Sequence, residues 1–527
     1  MEAPPSLTMG TLEGSQKINN NMKLITTIIF SLILNQTWSQ IQFQLNQPLN
    51  IIAIERVNMD VKKGDKLELI GYDNIYSQDF ATMYIVCKAE DGSSILLDPK
   101  KIKSFEFLNI DNREKIWDKN LVTNGIYANL IQKGMQYELR NELNNEAVEF
   151  INILSSEDRF FKDAYFEDYL YSLLNKIHIG ILSDRRPGNL YIKILKETEP
   201  NAFALPNGCI IITTGLLSTI QSEDELIGIL AHEVAHFVLD HQIMNYNKSV
   251  DRKKRAEFWS AFATVVAASA DVYLTSKNSN HIPGILTAST AIAASIISEE
   301  IITQLGVKYN QEQEIEADKA AKELISILKY NKLGLSAALE RIKNYCILTG
   351  NYIALSGSGS HPSLNSRINQ LGVVENLESF TQNEYLKKVS LINSYNAWIE
   401  LWYFSHHLAA KELADRNIKN GIGTETDYLV KAVVLRRLLN TKESNEEVID
   451  LISKAKSINI NSLITLYKEE ALTLLRLGRK EESKKSFQTY LSQLNELKAK
   501  LENSNKKTEL EDEIDWTKKM IFKIDLI

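Results

Sequence analysis

The chain has 527 residues and a formal net charge of −7, and at roughly 150 residues per domain this length predicts about three to four domains. A negatively charged chain lacks the basic surface that phosphate binding requires, so we expect no nucleic-acid partner. With only 9 prolines and 22 glycines, long helices are favoured over a turn-dense all-β protein. The 3 cysteines are scattered, which excludes a disulfide framework or a CxxC metal site and leaves histidine and carboxylate as metal ligands.

The N-terminal segment, residues 1–39, has the pattern of a leader and signal peptide. Met22-Lys23 precedes an apolar run (24–34), and Thr37 and Ser39 are the small residues expected before a cleavage site. We expect translation to begin at Met22 and the mature protein to be exported to the periplasm or cell envelope. A membrane anchor is the alternative, although the run is shorter than the roughly 20 residues that span a bilayer.

Residues 40–115 have the pattern of a small β domain. Apolar runs over 66–70, 83–88 and 94–97 are β-like, and Asp91-Gly92 supplies a turn between the last two. The order of these runs resembles bacterial SH3-like domains. A generic β-hairpin domain remains the alternative.

Residues 384–527 are almost entirely helical in pattern, and six of them follow the spacing of a tetratricopeptide repeat. They are Tyr467, Ala471, Leu474, Gly478, Ser483 and Phe487. Because stable stacking usually needs at least about three such repeats, a plain helical bundle is the alternative. We expect this helical region to bind any assembly partners.

The strongest chemical signal is an HExxH motif, His232-Glu-Val-Ala-His236. It lies in a helical stretch that opens with Ser222-x-x-Glu225 and extends to about Gln242. Histidines at i and i+4 share one helix face and can bind one Zn²⁺ together. Glu233 beside them can accept a proton from water and deliver it to a leaving amine.

A catalytic zinc needs a third protein ligand and an open position. His241 lies about 180° around a continuous helix from His232, so we do not expect it to reach the same metal. Glu314, in a second helical stretch, is the better candidate, and Asp318 on the same face could accept the ring N–H of a ligand histidine. The neighbouring acidic residues are interpreted as solvent-exposed helix charges: Glu312 and Glu316.

Four motifs in this order resemble the zinc metallopeptidases of family M48, which includes HtpX-like, CAAX prenyl and BepA-like proteases. They are NAFALPNG (201–208), EDELIGILAHEVAH (223–236), EIEAD (314–318) and HPSLNSR (361–367). The resemblance implies that residues 120–375 form a zincin-type peptidase domain. It also implies roles for five residues: His232, His236 and Glu314 as ligands of one Zn²⁺ per chain, Glu233 as general base, and Asp318 as support for a ligand.

The resemblance further implies an edge strand that pairs with an extended substrate peptide, formed by Asn201, Ala202, Phe203 and Ala204. Backbone pairing gives affinity without requiring a particular sequence, which suits a protease of unfolded chains. The alternative is an ordinary loop between two predicted strands, 190–195 and 210–214.

Two interpretations of His361 and Arg367 stay open. In the first, His361 approaches the zinc or the developing oxyanion, while Arg367 braces the loop or stabilises charge. In the second, both residues belong to a helix-start motif that docks the subdomain. The run Ser356–Ser360 before His361 is rich in glycine and serine, which predicts a flexible lead-in.

Two apolar segments, 258–274 and 282–297, lie between the HExxH and EIEAD motifs. The first contains Asp271 and the second meets Glu299-Glu300, so neither reaches the roughly 20 apolar residues of a membrane span. We expect a helical hairpin that covers the active site, with a peripheral membrane contact through the basic run 251–255.

The sequence therefore predicts an α+β, mainly helical protein with a small β domain, a zincin-type peptidase domain and a helical repeat-like domain. The expected function is that of a zinc-dependent endopeptidase of the cell envelope. It would cleave unfolded or misassembled protein substrates by attack of a metal-activated water. The alternatives are a zinc-containing chaperone or assembly factor in which proteolysis is minor, and a scaffold without metal.

Overall fold

The computed structural model describes residues 41, 43–77, 80–131, 135–156, 158–177, 190–245, 309–350, 364–459, 463–500 and 504–526. The predicted leader, the apolar segments between 258 and 297, and His361 lie outside these residues. The chain divides into two compact units, Met1–Ile110 and Asp111–Ile527. The domain boundaries drawn from the sequence stay predictions.

The described part of the first unit is an antiparallel sheet in the order β4-β3-β2-β1-β5. Its strands are β1 (Phe43–Ala53), β2 (Lys66–Ser77), β3 (Phe80–Ala89), β4 (Ser94–Leu97) and β5 (Phe105–Leu108). In β1 the side chains at alternate positions such as Leu49 and Ile51 are buried, as expected for a strand with one face on a core. The predicted Asp91-Gly92 turn joins β3 to β4, where Gly92 has a φ of 81° that glycine adopts without strain.

The second unit begins with helices that precede a small mixed sheet. The helices are α1 (Arg113–Thr123), α2 (Ile126–Ile131), α3 (Met135–Ser156) and α4 (Ala164–Ile177), and the strands are β6 (Tyr191–Leu195), β7 (Ala202–Ala204) and β8 (Cys209–Thr213). The strand order is β6-β8-β7, with β6 parallel and β7 antiparallel to β8. The short strand β7 therefore lies at one edge of this sheet.

The helices that follow the sheet carry the HExxH and EIEAD motifs. They are α5 (Thr214–Thr219), α6 (Glu223–Val238), α7 (His241–Asn245), α8 (Gln311–Ile327), α9 (Gly334–Thr349) and α10 (Leu364–Leu371). Helix α6 packs against both α8 and α9. Its N-cap is Ser222, whose hydroxyl accepts a hydrogen bond from the Glu225 N–H at 3.1 Å.

The predicted helix through the HExxH motif is too long. We expected it to reach Gln242, but α6 ends at Val238 and a separate short helix, α7, begins at His241. Between them Asp240 has a left-handed φ of 57°. The buried side chains of Arg140 on α3 and Asp240 form an ion pair that holds this break in place.

The rest of the second unit is helical, as the sequence predicts. The helices are α11 (Asn383–Lys388), α12 (Ser390–Trp402), α13 (His407–Lys419), α14 (Glu425–Leu438), α15 (Lys442–Ile458), α16 (Thr465–Arg476), α17 (Lys480–Lys500) and α18 (Ser504–Leu526). Successive helices from α12 to α18 pack against one another. Among the described residues, no helix combines the length and apolar character needed to cross a membrane.

Candidate metal centre

The side chains of His232, His236 and Glu314 converge between helices α6 and α8. The two histidines share the inner face of α6, as their i, i+4 spacing predicts. Their Nε2 atoms are 3.0 Å apart, and carboxylate oxygens of Glu314 lie 3.6 Å from His232 Nε2 and 3.9 Å from His236 Nε2. In the described part of the chain this is the group of potential ligands that could hold a metal ion, and all three residues are buried.

This donor set fits Zn²⁺. A tetrahedral ion with bonds of about 2.0 Å separates its ligand atoms by roughly 3.3 Å, and two histidines with one carboxylate form a familiar catalytic set. The observed separations of 3.0 to 3.9 Å bracket that value. Since the protein supplies three donors, a fourth position stays available for water or substrate.

Asp318 and Arg367 lie directly beside the three predicted ligands. Asp318, one helical turn after Glu314, places Oδ1 2.8 Å from His232 Nδ1. The Arg367 guanidinium on α10 contacts Asp318 Oδ1 at 2.7 Å and Glu314 Oε2 at 3.0 Å. Burial alone would raise the pKa of Asp318, but the charges of Arg367 and His232 hold it well below its usual range. The lowered pKa favours the charged form of Asp318, which is placed to accept a ring N–H from His232.

Glu233 is buried next to His232 and faces the edge strand. Its Oε2 accepts a hydrogen bond of 3.1 Å from the backbone N–H of Ala204, the last residue of β7. Burial raises the pKa of the Glu233 carboxyl to about 7. A carboxyl group with a pKa near neutrality can both accept and return a proton, which is what a general base and acid must do.

The predicted substrate strand is shorter than the sequence suggested. Ala202, Phe203 and Ala204 form β7, whereas Asn201 precedes the strand. The Leu205 N–H donates to the Cys209 carbonyl and the Thr213 N–H to the Asn201 carbonyl. Along an antiparallel strand, residues that hydrogen-bond to the partner strand alternate with residues that do not. The backbone N–H and C=O groups of Ala202 and Ala204 therefore point away from β8.

The two outward positions of β7 differ in what they contact. At Ala204 the N–H donates to Glu233, and the carbonyl accepts a 3.1 Å hydrogen bond from Gln242 Nε2. At Ala202 the backbone forms no hydrogen bond with another described residue on this side. The free backbone edge is therefore at Ala202.

Three residues that the sequence did not assign to the site lie close to it. His241 contacts His236, with 2.8 Å between their Nδ1 atoms, and Tyr309 stacks on the His236 ring with centroids 3.5 Å apart. Glu316 Oε2 lies 3.3 Å from His241 Nε2, and the Glu316 side chain is exposed, as its interpretation as a helix charge predicts. The signal that could have found His241 is Asp240, a residue type that tolerates left-handed conformations and can end a helix.

Comparison with known proteins agrees with the class of site that this geometry defines. A metal-binding HExxH helix opposed by a glutamate helix is typical of metallopeptidases. The family model described as "Peptidase family M48" matches residues 177–374. The resemblance that the four motifs indicate is therefore confirmed over these residues.

The chain is also similar to curated metalloproteases. It is 23% identical over 154 residues to metalloprotease YcaL of Escherichia coli, covering 28% of this chain and 50% of that protein. It is 30% identical over 158 residues to a protease HtpX homologue of Campylobacter curvus, covering 29% of this chain and 50% of the relative. It is 22% identical over 170 residues to a putative beta-barrel assembly-enhancing protease of Vibrio cholerae, covering 32% and 31% of the two chains. The chain thus spans about half or less of the length of these relatives.

Proposed function

We propose that this protein is a zinc-dependent endopeptidase of the cell envelope that cleaves unfolded or misassembled proteins. The observation that carries the proposal is the convergence of His232, His236 and Glu314 with Glu233, which contacts the edge strand β7 at Ala204. The M48 domain supports the peptidase class. The envelope location rests on the predicted signal peptide.

His232, His236 and Glu314 would hold a Zn²⁺ ion, which would supply a Lewis acid for the peptide carbonyl and for water. Glu233 accepts the proton of the attacking water and passes it to the nitrogen of the leaving amine. Ala204 donates its backbone N–H to one oxygen of Glu233, which leaves the other oxygen to handle that proton.

Arg367 and Asp318 set the charge around the ligands. The three acidic groups Glu233, Glu314 and Asp318 are all buried, and the Arg367 guanidinium offsets part of their charge through its contacts with two of them. This placement favours the interpretation in which Arg367 stabilises charge at the site. The role of His361 stays a prediction.

The substrate is an extended peptide that pairs with the outer edge of β7. Ala202 offers one N–H and one carbonyl at that edge, and Ala204 on the same edge contacts the general base. A peptide held by backbone hydrogen bonds would lie across the metal ligands without a sequence requirement, as cleavage of unfolded chains requires.

The two flanking regions are proposed as modules that bind partners. The N-terminal sheet would be SH3-like, and the helical region would be tetratricopeptide-like. Its pair α16 and α17 turns at Gly478, whose φ is 76°, while buried Ser483 donates to the Ala471 carbonyl at 2.7 Å. This helix pair also favours the second candidate function, a zinc-containing assembly factor in which proteolysis is minor. The name of the Vibrio cholerae relative combines both activities.

A pair of variants tests the proposal. Glu233→Gln should bind one zinc per chain yet lose cleavage of an unfolded model substrate by at least about 1,000-fold, because it cannot accept a proton. Glu312→Gln, an exposed change on helix α8, is the matched control and should cleave at the wild-type rate. Wild-type cleavage by a zinc-loaded Glu233→Gln protein would refute the mechanism. Expression of Glu233→Gln in the envelope should also capture bound substrates. If the protein is mainly an assembly factor, it would release these proteins uncut.

A further inference from the structure

His241 occupies a place that the break between α6 and α7 creates. On a continuous helix it would lie opposite the zinc ligands, but the helix ends at Val238 and Asp240 reverses the chain. The buried ion pair between Asp240 and Arg140 holds this reversal. As a result His241, whose side chain is 1% exposed, lies against the outer side of the His236 ring.

The ring nitrogens then form an ordered chain of contacts. His236 directs Nε2 toward His232 and Glu314, and its Nδ1 lies 2.8 Å from His241 Nδ1. If Nε2 binds metal, Nδ1 carries the proton of the neutral ring and donates it to His241. His241 then carries its own proton on Nε2, which lies 3.3 Å from Glu316 Oε2. Each donor in the chain thus meets an acceptor.

This arrangement parallels the support of the other histidine ligand. His232 Nδ1 contacts the Asp318 carboxylate directly at 2.8 Å, whereas His236 reaches the carboxylate of Glu316 through the interposed imidazole of His241. A hydrogen-bonded partner on the second ring nitrogen fixes the tautomer and orientation of a metal-binding histidine and increases its basicity. Each histidine ligand on α6 is therefore linked through its Nδ1 to a carboxylate, directly for His232 and through His241 for His236.

His241 does not act as a further ligand in this geometry. Its Nδ1 faces Nδ1 of His236, on the side of that ring opposite the predicted metal position, and its Nε2 faces Glu316. Helix α8 supplies both Glu314 at the metal position and Glu316 next to His241. Residues of this one helix therefore lie on both sides of the His236 ring.

We propose that His241 and Glu316 are positioning residues that hold His236 in the orientation for zinc. The inference rests on the metal site of the proposed function. This positioning of His236 should make zinc bind more tightly. The loss of His241 or Glu316 should therefore lower the zinc affinity more than it lowers the rate of the chemical step. Removing such outer partners typically weakens metal binding about 10- to 100-fold.

Zinc affinity, measured by competition with a chromophoric chelator, tests the proposal on the full chain. His241→Phe keeps a planar ring without an acceptor and should weaken zinc binding about 10- to 100-fold. His241→Asn can place an amide oxygen near the position of the lost Nδ1, so it should recover most of the affinity. A merely structural role for the ring would predict the reverse order, because phenylalanine preserves packing better than asparagine.

Glu316→Ala provides a second route that leaves the buried side chains intact, because the Glu316 side chain is 49% exposed. We expect about 3- to 10-fold weaker zinc binding, a modest effect for an outer partner, and an unchanged melting temperature of the metal-free protein. Glu312→Ala on the same helix is the matched control and should bind zinc like the wild type. If His241→Phe does not fold, Glu316→Ala decides the question alone.

The possible failures are distinguishable. Wild-type zinc affinity in folded His241→Phe and Glu316→Ala proteins would overturn the positioning role while leaving the peptidase proposal intact. If the unaltered chain binds no stoichiometric zinc, the metal site of the proposed function fails first.

Discussion

The backbone N–H of Ala204 donates a 3.1 Å hydrogen bond to Glu233 Oε2, so the edge strand and the predicted general base are directly joined. The Ala204 carbonyl is bound in turn by Gln242. These two contacts fix the end of β7 beside the metal ligands. A peptide that pairs with the free edge at Ala202 is therefore positioned relative to the base by the strand itself.

The first prediction concerns that free edge. Ala202→Pro removes an outward N–H while leaving the β7–β8 hydrogen bonds, so proline is tolerable at this edge. Loss of one substrate hydrogen bond of about 1 kcal/mol should raise KM for an unfolded substrate about 5- to 10-fold. Steady-state kinetics would measure this KM, and an unchanged zinc content of the variant is the control. An unchanged KM would show that substrate does not pair at Ala202.

A second prediction concerns the direct support of His232. Asp318→Asn replaces a carboxylate that contacts both His232 and Arg367 with a neutral group. We expect about 10- to 100-fold weaker zinc affinity, measured by chelator competition. The double variant with His241→Phe should lose affinity roughly as the product of the two factors, because the two supports act on different ligands. No greater loss in the double variant than in either single variant would contradict separate supports.

Metal removal provides a third prediction. Zinc bound by α6 and α8 stabilises the folded state by mass action, at about 4 kcal/mol when free zinc is 1,000 times the dissociation constant. Treatment with a chelator should lower the melting temperature by several degrees, and zinc should restore it. Glu314→Gln should reduce this zinc-dependent shift strongly. An equal shift in the variant would mean that zinc stabilises the protein elsewhere.

The fourth prediction concerns the close approach of α6 and α9. A Cβ atom at Gly228 would lie 2.7 Å from the Leu335 backbone nitrogen, and one at Gly334 would lie 2.2 Å from the Asp224 carbonyl oxygen. Gly228→Ala should destabilise the protein by about 1–3 kcal/mol through overpacking, measured by denaturant unfolding. Adding Gly334→Ala should cost less than the sum of the two single changes, because both separate the same pair of helices. Strict additivity would argue against that shared interface.

The fifth prediction is a pH dependence of stability. Burial raises the pKa of Asp118, which accepts a hydrogen bond from Tyr127, to about 6. Because the folded state favours the protonated carboxyl, the stabilisation is complete below the unfolded pKa of about 4 and is lost as pH rises through about 6. At pH 7, Asp118→Asn should therefore be more stable than the wild type by up to about 3 kcal/mol.

The control for this prediction lies on a neighbouring helix. Asp168→Asn, an exposed change on α4, should leave the unfolding midpoint unaltered at every pH. Equal unfolding free energies of Asp118→Asn and the wild type at pH 7 would show that the buried carboxyl carries no charge penalty. The two proteins should converge at pH 4.

The metal site was predictable from sequence where it depends on local spacing. His232 and His236 on one helix, and Glu314 with Asp318 on another, follow from a period of 3.6 residues. Asp240 could have indicated a helix end before His241, but the position of His241 also depends on an ion pair between Asp240 and Arg140, 100 residues apart along the chain, which local sequence does not show. Strand β7 begins at Ala202 and not at the predicted Asn201, whose backbone N–H donates to the Thr213 hydroxyl instead of to a strand carbonyl.

The short length of β7 also affects how the protein avoids association with itself. Exposed edge strands are templates on which other chains can build sheets, and proteins limit that risk by keeping such edges short. Within β7, Ala204 is already bound by neighbouring side chains, so the backbone of Ala202 is what this strand offers as an open edge. An edge of this length offers little template on which another chain could build a sheet.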